Sequence, residues 1–487
     1  TLRKRYEMLK ESLGDVKFNE FIELATIKDV ETGIQTIQYQ LITIAGSNGQ
    51  SPFASIFMYI NEVDDDLKND LALVIQKVLE QRILGVKNKN GAYVSTAFPK
   101  LLYVLQEDNI HEGDKWFYLT ELAAKCTSKR MVPDYISEKR MKELKEGACF
   151  PCMGCRSFLQ PYYEDKNGNP TTKKKGKYRI FGRFNQGVVS INLPDVALCA
   201  KKDIEKFWYI LDQRLELCHR ALRLRHEHLR GVKSDVAPIL WQAGAVARLE
   251  PGETIDKLLY NDCSSISLGY VGIYETVKAL TDKNFYDDDD AMILAKQIMD
   301  KMNEKCAQWK QIEHIGYSLY GTPEENLTYK FATALQKRHG IIPGITDKNY
   351  VTNSYHIPVF QEIDAFSKIS KEAELQPKSL GGAISYVETC NLQNNIPAII
   401  SILQHIYENI MYCELNTKSD YCLSCDSTEE IKIHKDETGK LYWKCENCGE
   451  TDINKLLVVR RICGYLSQSN AVNQGRMAEF DERVLHI

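Results

Sequence analysis

Two closely spaced cysteine pairs stand near the end of the chain, Cys422-Leu423-Ser424-Cys425 and Cys445-Glu446-Asn447-Cys448, with nineteen residues between them. Each pair can supply two thiolates from one tight turn, and a β-hairpin between the pairs can bring the four sulfurs into a tetrahedron. The spacing therefore predicts a structural metal site with four protein ligands. Zinc is the expected metal, and iron is the alternative because thiolates also hold iron.

The composition of the chain changes upstream of these pairs, at about Tyr412. Cysteine, lysine and acidic residues become dense over 416–451, and few core-forming runs are found there. From about residue 35 to 410, helical segments alternate with short β-rich runs, which favours an α/β fold. We therefore predict a large α/β domain over 1–412, a four-cysteine zinc-binding module over 413–455 and a C-terminal segment over 456–487.

Charge and cysteine content narrow the class of protein. The net charge of -4 gives no basic surface of the kind that nucleic-acid binding requires, and no run of about 18 apolar residues suits a membrane span. Fifteen cysteines in 487 residues are too few for a disulfide scaffold. In a reducing compartment, clustered cysteines bind metals or act in catalysis. We expect a cytoplasmic protein without a membrane segment and without direct nucleic-acid binding.

Hydrophobic periodicity predicts several elements of the large domain. Two extended runs are expected over 35–44 and 53–60, joined by a turn over 46–52 that is rich in small residues. Apolar residues at helical spacing predict amphipathic helices over 65–85 and 201–230, each ending at a glycine.

The hexapeptide Arg461-Ile462-Cys463-Gly464-Tyr465-Leu466 follows the second cysteine pair. It resembles the glycyl-radical loop of anaerobic (class III) ribonucleotide reductases, a family in which a four-cysteine zinc site stands just upstream. A second segment, Cys152-Met153-Gly154-Cys155-Arg156, resembles the finger loop of the same family. The resemblance implies that Gly464 stores the radical, that Cys155 becomes a thiyl radical and that Met153 is its near neighbour.

Further family-like segments extend the resemblance from about Gly46 to the last residue; they cover 182–187, 190–194, 267–272, 321–326 and 352–358. Within them, Asn185 matches an active-site asparagine that contacts the ribose. Glu325 matches a buried acidic residue near the substrate.

The resemblance implies a ten-stranded α/β barrel of the glycyl-radical-enzyme type, with both loops inside it. The implied activity is reduction of ribonucleoside triphosphates to deoxyribonucleoside triphosphates. A radical on Gly464, installed by a radical-SAM activase, would pass to Cys155, which then abstracts the C3′ hydrogen of the substrate. The resemblance further implies dNTP and ATP effectors and a homodimer.

The chain departs from the family pattern near its start. It shows no ATP-binding cone, and no cysteine precedes Gly49, where the formate-using branch has one. Two alternatives follow from the resemblance: either an N-terminal part of the family's chain that carries this cysteine is missing here, or a different cysteine or reductant serves. The electron donor is therefore open between formate and a thioredoxin- or glutaredoxin-like protein. One alternative is a formate-lyase type of glycyl radical enzyme, although that branch uses adjacent cysteines and no Cys-Cys pair occurs here. The other is a zinc-ribbon protein that binds nucleic acid, which would leave the segments around Cys155 and Gly464 unexplained.

Overall fold

The computed structural model describes residues 2–44, 53–87, 91, 93–323, 326–417, 419–427, 431–461, 466–468 and 472–486. Helices and strands alternate along it, as predicted. The α-helices are α1 Leu2–Arg5, α2 Leu9–Thr43, α3 Lys68–Leu84, α4 Phe117–Arg130, α5 Glu138–Leu144, α6 Leu193–Ala200, α7 Ile204–Glu227, α8 Pro238–Trp241, α9 Ile273–Thr281, α10 Asp289–Glu313, α11 Leu327–His339, α12 Ala365–Glu372, α13 Ile396–Asn409 and α14 Gln474–Glu482. The strands are β1 Ser55–Met58, β2 Val86–Lys87, β3 Tyr93–Val94, β4 Lys100–Leu105, β5 Asp134–Ser137, β6 Tyr163–Glu164, β7 Pro170–Thr171, β8 Lys177–Tyr178, β9 Asn185–Asn192, β10 Ser265–Val271, β11 Gly316–Tyr320, β12 Ser385–Glu388, β13 Tyr412–Asn416, β14 Ser419–Cys422, β15 Ile431–Lys435, β16 Leu441–Cys445, β17 Leu456–Arg461 and β18 Leu466–Gln468.

The first large sheet has the strand order β1-β4-β5-β13-β12. Its neighbours run parallel except for β5 and β13, which are antiparallel with Tyr412 opposite Ile136. Strands β4, β5 and β13 are buried along their whole length. Because a strand that is buried on both faces has no polar face, β4 consists of consecutive apolar residues from Leu101 to Leu105. Helices α3, α4 and α13 share one hydrophobic core with this sheet.

The second large sheet has the order β11-β10-β9, and its strands are parallel. Helices α6, α7, α9 and α10 pack against it and form a second core. A register shift between Ser265 and Ser267 interrupts the pairing of β10 with β9, next to Asn185. The large domain therefore contains two core-forming sheets, each covered by helices.

The C-terminal part contains a small sheet and a hairpin. Strands β14, β17 and β18 form an antiparallel sheet, and β15 pairs with β16 as the hairpin that the sequence predicts between the two cysteine pairs. Helix α14 closes this unit, with Met477 and Phe480 in the same core as Trp443.

One secondary-structure prediction was wrong. Residues 35–43 are not extended but form the end of helix α2, because Ile34 and Gln38 are buried on one helical face and Gln35 Nε2 donates to Gln81 Oε1 of α3 at 2.8 Å. The second predicted run contains strand β1, and the helices predicted over 65–85 and 201–230 are confirmed as α3 and α7. The turn predicted over 46–52 lies outside the described residues. No helix in the described ranges combines the length and the apolar character needed to cross a membrane.

Candidate functional site

Cys155 lies at the tip of a tight turn between α5 and β6. Met153 and Ser157 close the turn, with Met153 N donating to Ser157 O at 2.8 Å and Ser157 N to Met153 O at 3.3 Å. Gly154 takes a positive φ of 56°, a conformation that glycine adopts without strain. Arg156 and Ser157 are buried, whereas Cys155 is only partly buried. The turn therefore presents one cysteine from a fixed backbone.

The turn rests on the first large sheet. Lys100 Nζ, at the start of β4, donates to the Cys155 carbonyl oxygen at 2.7 Å and forms an ion pair with Asp134 Oδ2 at 2.9 Å. The Tyr412 hydroxyl donates to Asp134 Oδ2 at 2.7 Å and lies 3.4 Å from the same carbonyl. Although burial raises the pKa of Asp134, Arg461 and Lys100 outweigh it and hold that pKa below its ordinary value. Asp134 is therefore a buried carboxylate beneath Cys155.

The other side of the turn contacts the segment between β11 and β12. Phe158 N donates to Gly381 O at 2.9 Å, and Gly382 O accepts from Gly321 N at 2.9 Å, directly after β11. A Cβ atom on Gly382 would lie 2.1 Å from Arg156 O and 2.6 Å from Phe158 N. The Cys155 turn is thus held between the first sheet and the chain that leaves the second sheet.

We expect Gly382→Ala to displace the Cys155 turn. Its φ is +116°, so the substitution adds backbone strain to the clash with Arg156 O, and the two effects together cost about 3 kcal/mol. Thermal unfolding is the measurement. The matched control is Gly231→Ala, which has a φ of +75° but open space around the added methyl group. If the two variants lose the same stability, close packing at Gly382 has no special role.

The other residues singled out by the sequence have different surroundings. Asn185 begins β9, and its side-chain amide donates to Ser265 Oγ at 3.1 Å and Ser267 Oγ at 2.7 Å, while its Oδ1 accepts from Gly187 N at 2.7 Å. Met153 is partly buried at the base of the Cys155 turn. Gly464 and Glu325 lie outside the described residues. The nearest described residues on either side of Gly464 are Arg461, at the end of β17, and Leu466, at the start of β18, which pair with each other.

A small cavity of about 40 Å³ adjoins the Cys155 turn through Tyr386. The Tyr386 hydroxyl accepts a hydrogen bond from Arg156 Nη2, and the Arg156 guanidinium lies 5.3 Å from the centre of the Tyr386 ring. The His356 ring lies 4.9 Å from the same ring at a tilt of 44°, and burial lowers the pKa of His356. The polar and aromatic residues lining the cavity include Tyr350, Thr352, Asn353, His356, Tyr386 and Arg483. This space is far smaller than the roughly 300 Å³ or more of a typical small-molecule site.

The four cysteines of the C-terminal module converge. Their sulfur atoms all lie within 4.8 Å of one another, with Cys422 Sγ 3.7 Å from Cys448 Sγ and Cys425 Sγ 3.9 Å from Cys445 Sγ. Four sulfurs at about 2.3 Å from a tetrahedral zinc ion would be about 3.8 Å apart. The cluster thus fits the four-ligand site predicted from the sequence. Protein sulfur atoms would take all four coordination positions of the metal, which would leave none for a substrate.

We expect Cys425→Ser to reduce the bound metal from about one ion per chain to near none, because a closed structural site depends on all four thiolates. The melting temperature should fall with it, since binding energy at such sites is folding energy. Elemental analysis and thermal unfolding of the purified protein measure both. Cys390→Ser is the control, because Cys390 is a partly buried free thiol outside the cluster. Full metal content in Cys425→Ser would contradict the assignment of this ligand.

Sequence reasoning missed the charged residues beneath Cys155. Lys100 and Asp134 stand at the starts of strands that are otherwise apolar, and such a position is a signal of a buried ion pair. Their partners Tyr412 and Arg461 lie roughly 300 residues further along the chain, at a distance over which no local pattern operates.

Comparison with solved structures defines the class of fold. The chain superimposes on a structure described as "Anaerobic ribonucleotide reductase" with a TM-score of 0.63 and 17% identity, covering 94% of this chain and 68% of that one. The anaerobic ribonucleotide reductase from Thermotoga maritima in complex with dATP and CTP gives a TM-score of 0.61 at 16% identity, covering 97% and 70%. The fold is therefore that of the anaerobic ribonucleotide reductases.

Comparison of sequences identifies the family to which the chain belongs. A family model described as anaerobic ribonucleoside-triphosphate reductase matches residues 12–486. The enzyme of that name from Escherichia coli (strain K12) is 36% identical over 468 residues, which are 95% of this chain and 62% of that protein. The enzyme of Enterobacteria phage T4 is 36% identical over 477 residues, 96% of this chain and 73% of that protein. The chain belongs to the anaerobic ribonucleoside-triphosphate reductase family and spans less than two thirds of the length of the Escherichia coli member.

Proposed function

We propose that this chain carries the radical chemistry of an anaerobic ribonucleoside-triphosphate reductase, with Gly464 as the stored radical and Cys155 as the thiyl radical. The observation that carries the proposal is the position of Cys155 at the tip of a fixed turn that is held between two sheets. Family membership over 12–486 supports the same reading.

The proposed reaction balances through the protein's own residues and one external donor. A hydrogen atom passes from the Cys155 thiol to the Gly464 Cα radical, and the resulting thiyl radical takes the C3′ hydrogen of the ribose. The 2′-hydroxyl, which is a poor leaving group on an unactivated carbon, then takes up the proton that the 3′-hydroxyl releases and departs as water, which leaves a ketone at C3′ and a radical at C2′. A two-electron donor, either formate or a dithiol protein, supplies two electrons, and two protons come with them from the donor or from water, which restores a C3′ radical with two hydrogens on C2′. Cys155 then returns the hydrogen atom to C3′, and the resulting thiyl radical takes a hydrogen atom back from Gly464.

We further propose supporting roles for Met153, Asn185 and Glu325. Met153 would flank the thiyl radical, and Glu325 would be the acidic group near the substrate. Asn185 would contact the ribose, for which its amide must exchange the hydrogen bonds to Ser265 and Ser267.

The finer architecture is also a proposal. The two large sheets, with five and three described strands, would contribute eight strands to a ten-stranded α/β barrel in a catalytic domain over 1–412. The zinc-binding module over 413–455 and the radical loop segment over 456–487 would follow. Zinc would be held by Cys422, Cys425, Cys445 and Cys448, supported by the sulfur spacing. It would stabilise the module without taking part in the reaction.

The partners that we propose are those that membership of this family implies. The Thermotoga maritima structure is described as a complex with dATP and CTP, which supports ribonucleoside triphosphates as substrates and dNTP or ATP as effectors. We propose a homodimer in the cytoplasm, activated by a separate radical-SAM enzyme that installs the glycyl radical.

Anoxic activation tests this function. The protein is incubated with a radical-SAM activase, S-adenosylmethionine and a reductant, then with radiolabelled CTP and either formate or reduced thioredoxin. We expect a glycyl doublet in the electron paramagnetic resonance spectrum and labelled dCTP in one of the two arms, which also identifies the donor. A stable glycyl radical without deoxynucleotide from any of the four ribonucleoside triphosphates would instead favour the formate-lyase type of enzyme.

A further inference from the structure

Four buried ionisable side chains form a cluster against the first sheet: Lys100, Asp134, Glu414 and Arg461. Burial raises the pKa of Glu414 to about 8, so this carboxyl group is largely protonated at pH 7, whereas Asp134 is the carboxylate that pairs with both cations. Arg461 Nη1 lies 2.9 Å from both Asp134 Oδ1 and Glu414 Oε1, and Lys100 Nζ lies 2.9 Å from Asp134 Oδ2. The two cations are 3% and 2% exposed at their side chains, and both carboxyl groups are 0% exposed. We call these four residues the buried charge cluster.

The buried charge cluster connects the two segments that the radical must join. At one end, Lys100 Nζ holds the carbonyl oxygen of Cys155. At the other end, Arg461 is the last residue of β17, three positions before Gly464. Asp134 lies between the two cations and also accepts from the Tyr412 hydroxyl, which lies 3.4 Å from the Cys155 carbonyl.

Arg461 is fixed in one orientation by several partners. Besides the two carboxyl groups, its Nε donates to Asn416 Oδ1 at 2.9 Å, and its Nη2 donates to Met131 O. A guanidinium offers its donors in a planar fork, so carboxylate and amide acceptors on different sides define both its position and its plane. The end of β17 therefore has a fixed position relative to β5 and β13.

A gain in folding stability does not by itself explain why such a cluster is buried. Replacing buried ion pairs by well-packed apolar residues is often neutral or stabilising, because desolvation offsets most of the attraction between the charges. The charges instead make the relative position of the segments specific. Sliding the Cys155 turn against strand β17 would leave a charged group unpaired.

We propose that the buried charge cluster is a positioning device that sets the distance between the Cys155 turn and the strand leading to Gly464. This inference rests on the proposed radical function. Hydrogen transfer requires the two reacting atoms at near-contact distance, and a displacement of about 1 Å can cost on the order of 100-fold in rate. None of the four residues touches the substrate in this proposal, so they act through Cys155 and the Gly464 strand.

The test separates radical formation from radical use. Arg461→Gln, Lys100→Met and Tyr412→Phe are activated anoxically, and the glycyl radical per chain, the turnover per radical and the KM for CTP are measured. We expect turnover per radical to fall about 100-fold in Arg461→Gln and Lys100→Met and about 10-fold in Tyr412→Phe. The KM for CTP should stay near that of the unmodified protein, because substrate contacts are unchanged. Arg461→Lys, which keeps the charge but not the fork, should recover part of the loss.

Arg460→Gln is the matched control. Arg460 precedes Arg461 on β17 but pairs with Asp420 of β14, away from Cys155. We expect its turnover per radical to stay close to that of the unmodified protein. Equal losses in Arg460→Gln and Arg461→Gln, or unchanged turnover per radical in both Arg461→Gln and Tyr412→Phe, would overturn the proposal. If Arg461→Gln and Lys100→Met do not fold, Tyr412→Phe decides alone, since it removes only a hydroxyl group. An unmodified protein that forms no radical or no deoxynucleotide would refute the proposed function instead.

Discussion

Cys155→Ala is expected to abolish deoxynucleotide formation while the glycyl radical still forms. The thiol is the only group in this scheme that can take the C3′ hydrogen, and alanine has no hydrogen-accepting radical state of comparable energy. In the proposed function, a separate activase forms the radical on Gly464, and this step does not need Cys155. We therefore expect a fall in turnover of at least about 10⁴-fold, which is the scale on which loss of a covalent catalytic group acts.

The measurement pairs paramagnetic resonance with product analysis on the same activated sample. Cys152→Ala is a matched control, because Cys152 is in the same loop but buried, with its thiol 3.7 Å from the Tyr412 hydroxyl. It should retain measurable turnover. Deoxynucleotide formation by Cys155→Ala would show that another residue carries the thiyl function.

Gly464→Ala is expected to remove the glycyl doublet and all turnover. A glycyl radical is planar and delocalised over the neighbouring amide groups, and the absence of a side chain lets the backbone reach that geometry. Alanine leaves the hydrogen to be abstracted on a tertiary carbon with a methyl group in the way of both the activase and Cys155. Paramagnetic resonance after anoxic activation gives the result directly.

Exposure to air supplies an independent readout for the same glycine. Oxygen adds to a glycyl radical and breaks the chain there, so the activated protein should release a peptide that begins after Gly464. Gly464→Ala should stay intact, as should unactivated protein. Mass spectrometry locates the break, and cleavage at another glycine would move the assignment to that residue.

Local patterns predicted part of this molecule well. The paired cysteines predicted both the sulfur cluster and the hairpin between Ile431 and Cys445, because ligand spacing and turn geometry are local properties. Helix α3 was predicted from the helical spacing of the apolar residues Leu71, Leu73, Val74, Val78 and Leu79, of which Val78 and Leu79 are buried in the structure. Residues 35–43 were misassigned because the alternation of Ile and Gln there fits a strand as well as a helix, and packing of Gln35 against Gln81 decides between them.

The surroundings of Cys155 could not be predicted in the same way. The motif around Cys155 indicated the reactive residue, but its partners Lys100, Asp134 and Tyr412 come from three strands that are distant in sequence. Gly382, which leaves no room for a side chain against Arg156, gives no local signal beyond being a glycine. Such contacts depend on how the two sheets come together, which is a property of the whole domain.

The small sheet β14-β17-β18 has a consequence for how this chain can be divided. Cys422, one of the four clustered cysteines, pairs with Leu456 at the start of β17, and the same strand ends at Arg461. The sheet thus crosses the boundary predicted between 455 and 456, and α14 packs on the hairpin from the other side. A transplant between relatives that exchanged only the metal-binding part, or only the last thirty residues, would split a sheet and expose its unpaired edge. The part with the four cysteines and the last thirty residues share one sheet and one core, so a chimera should exchange them together.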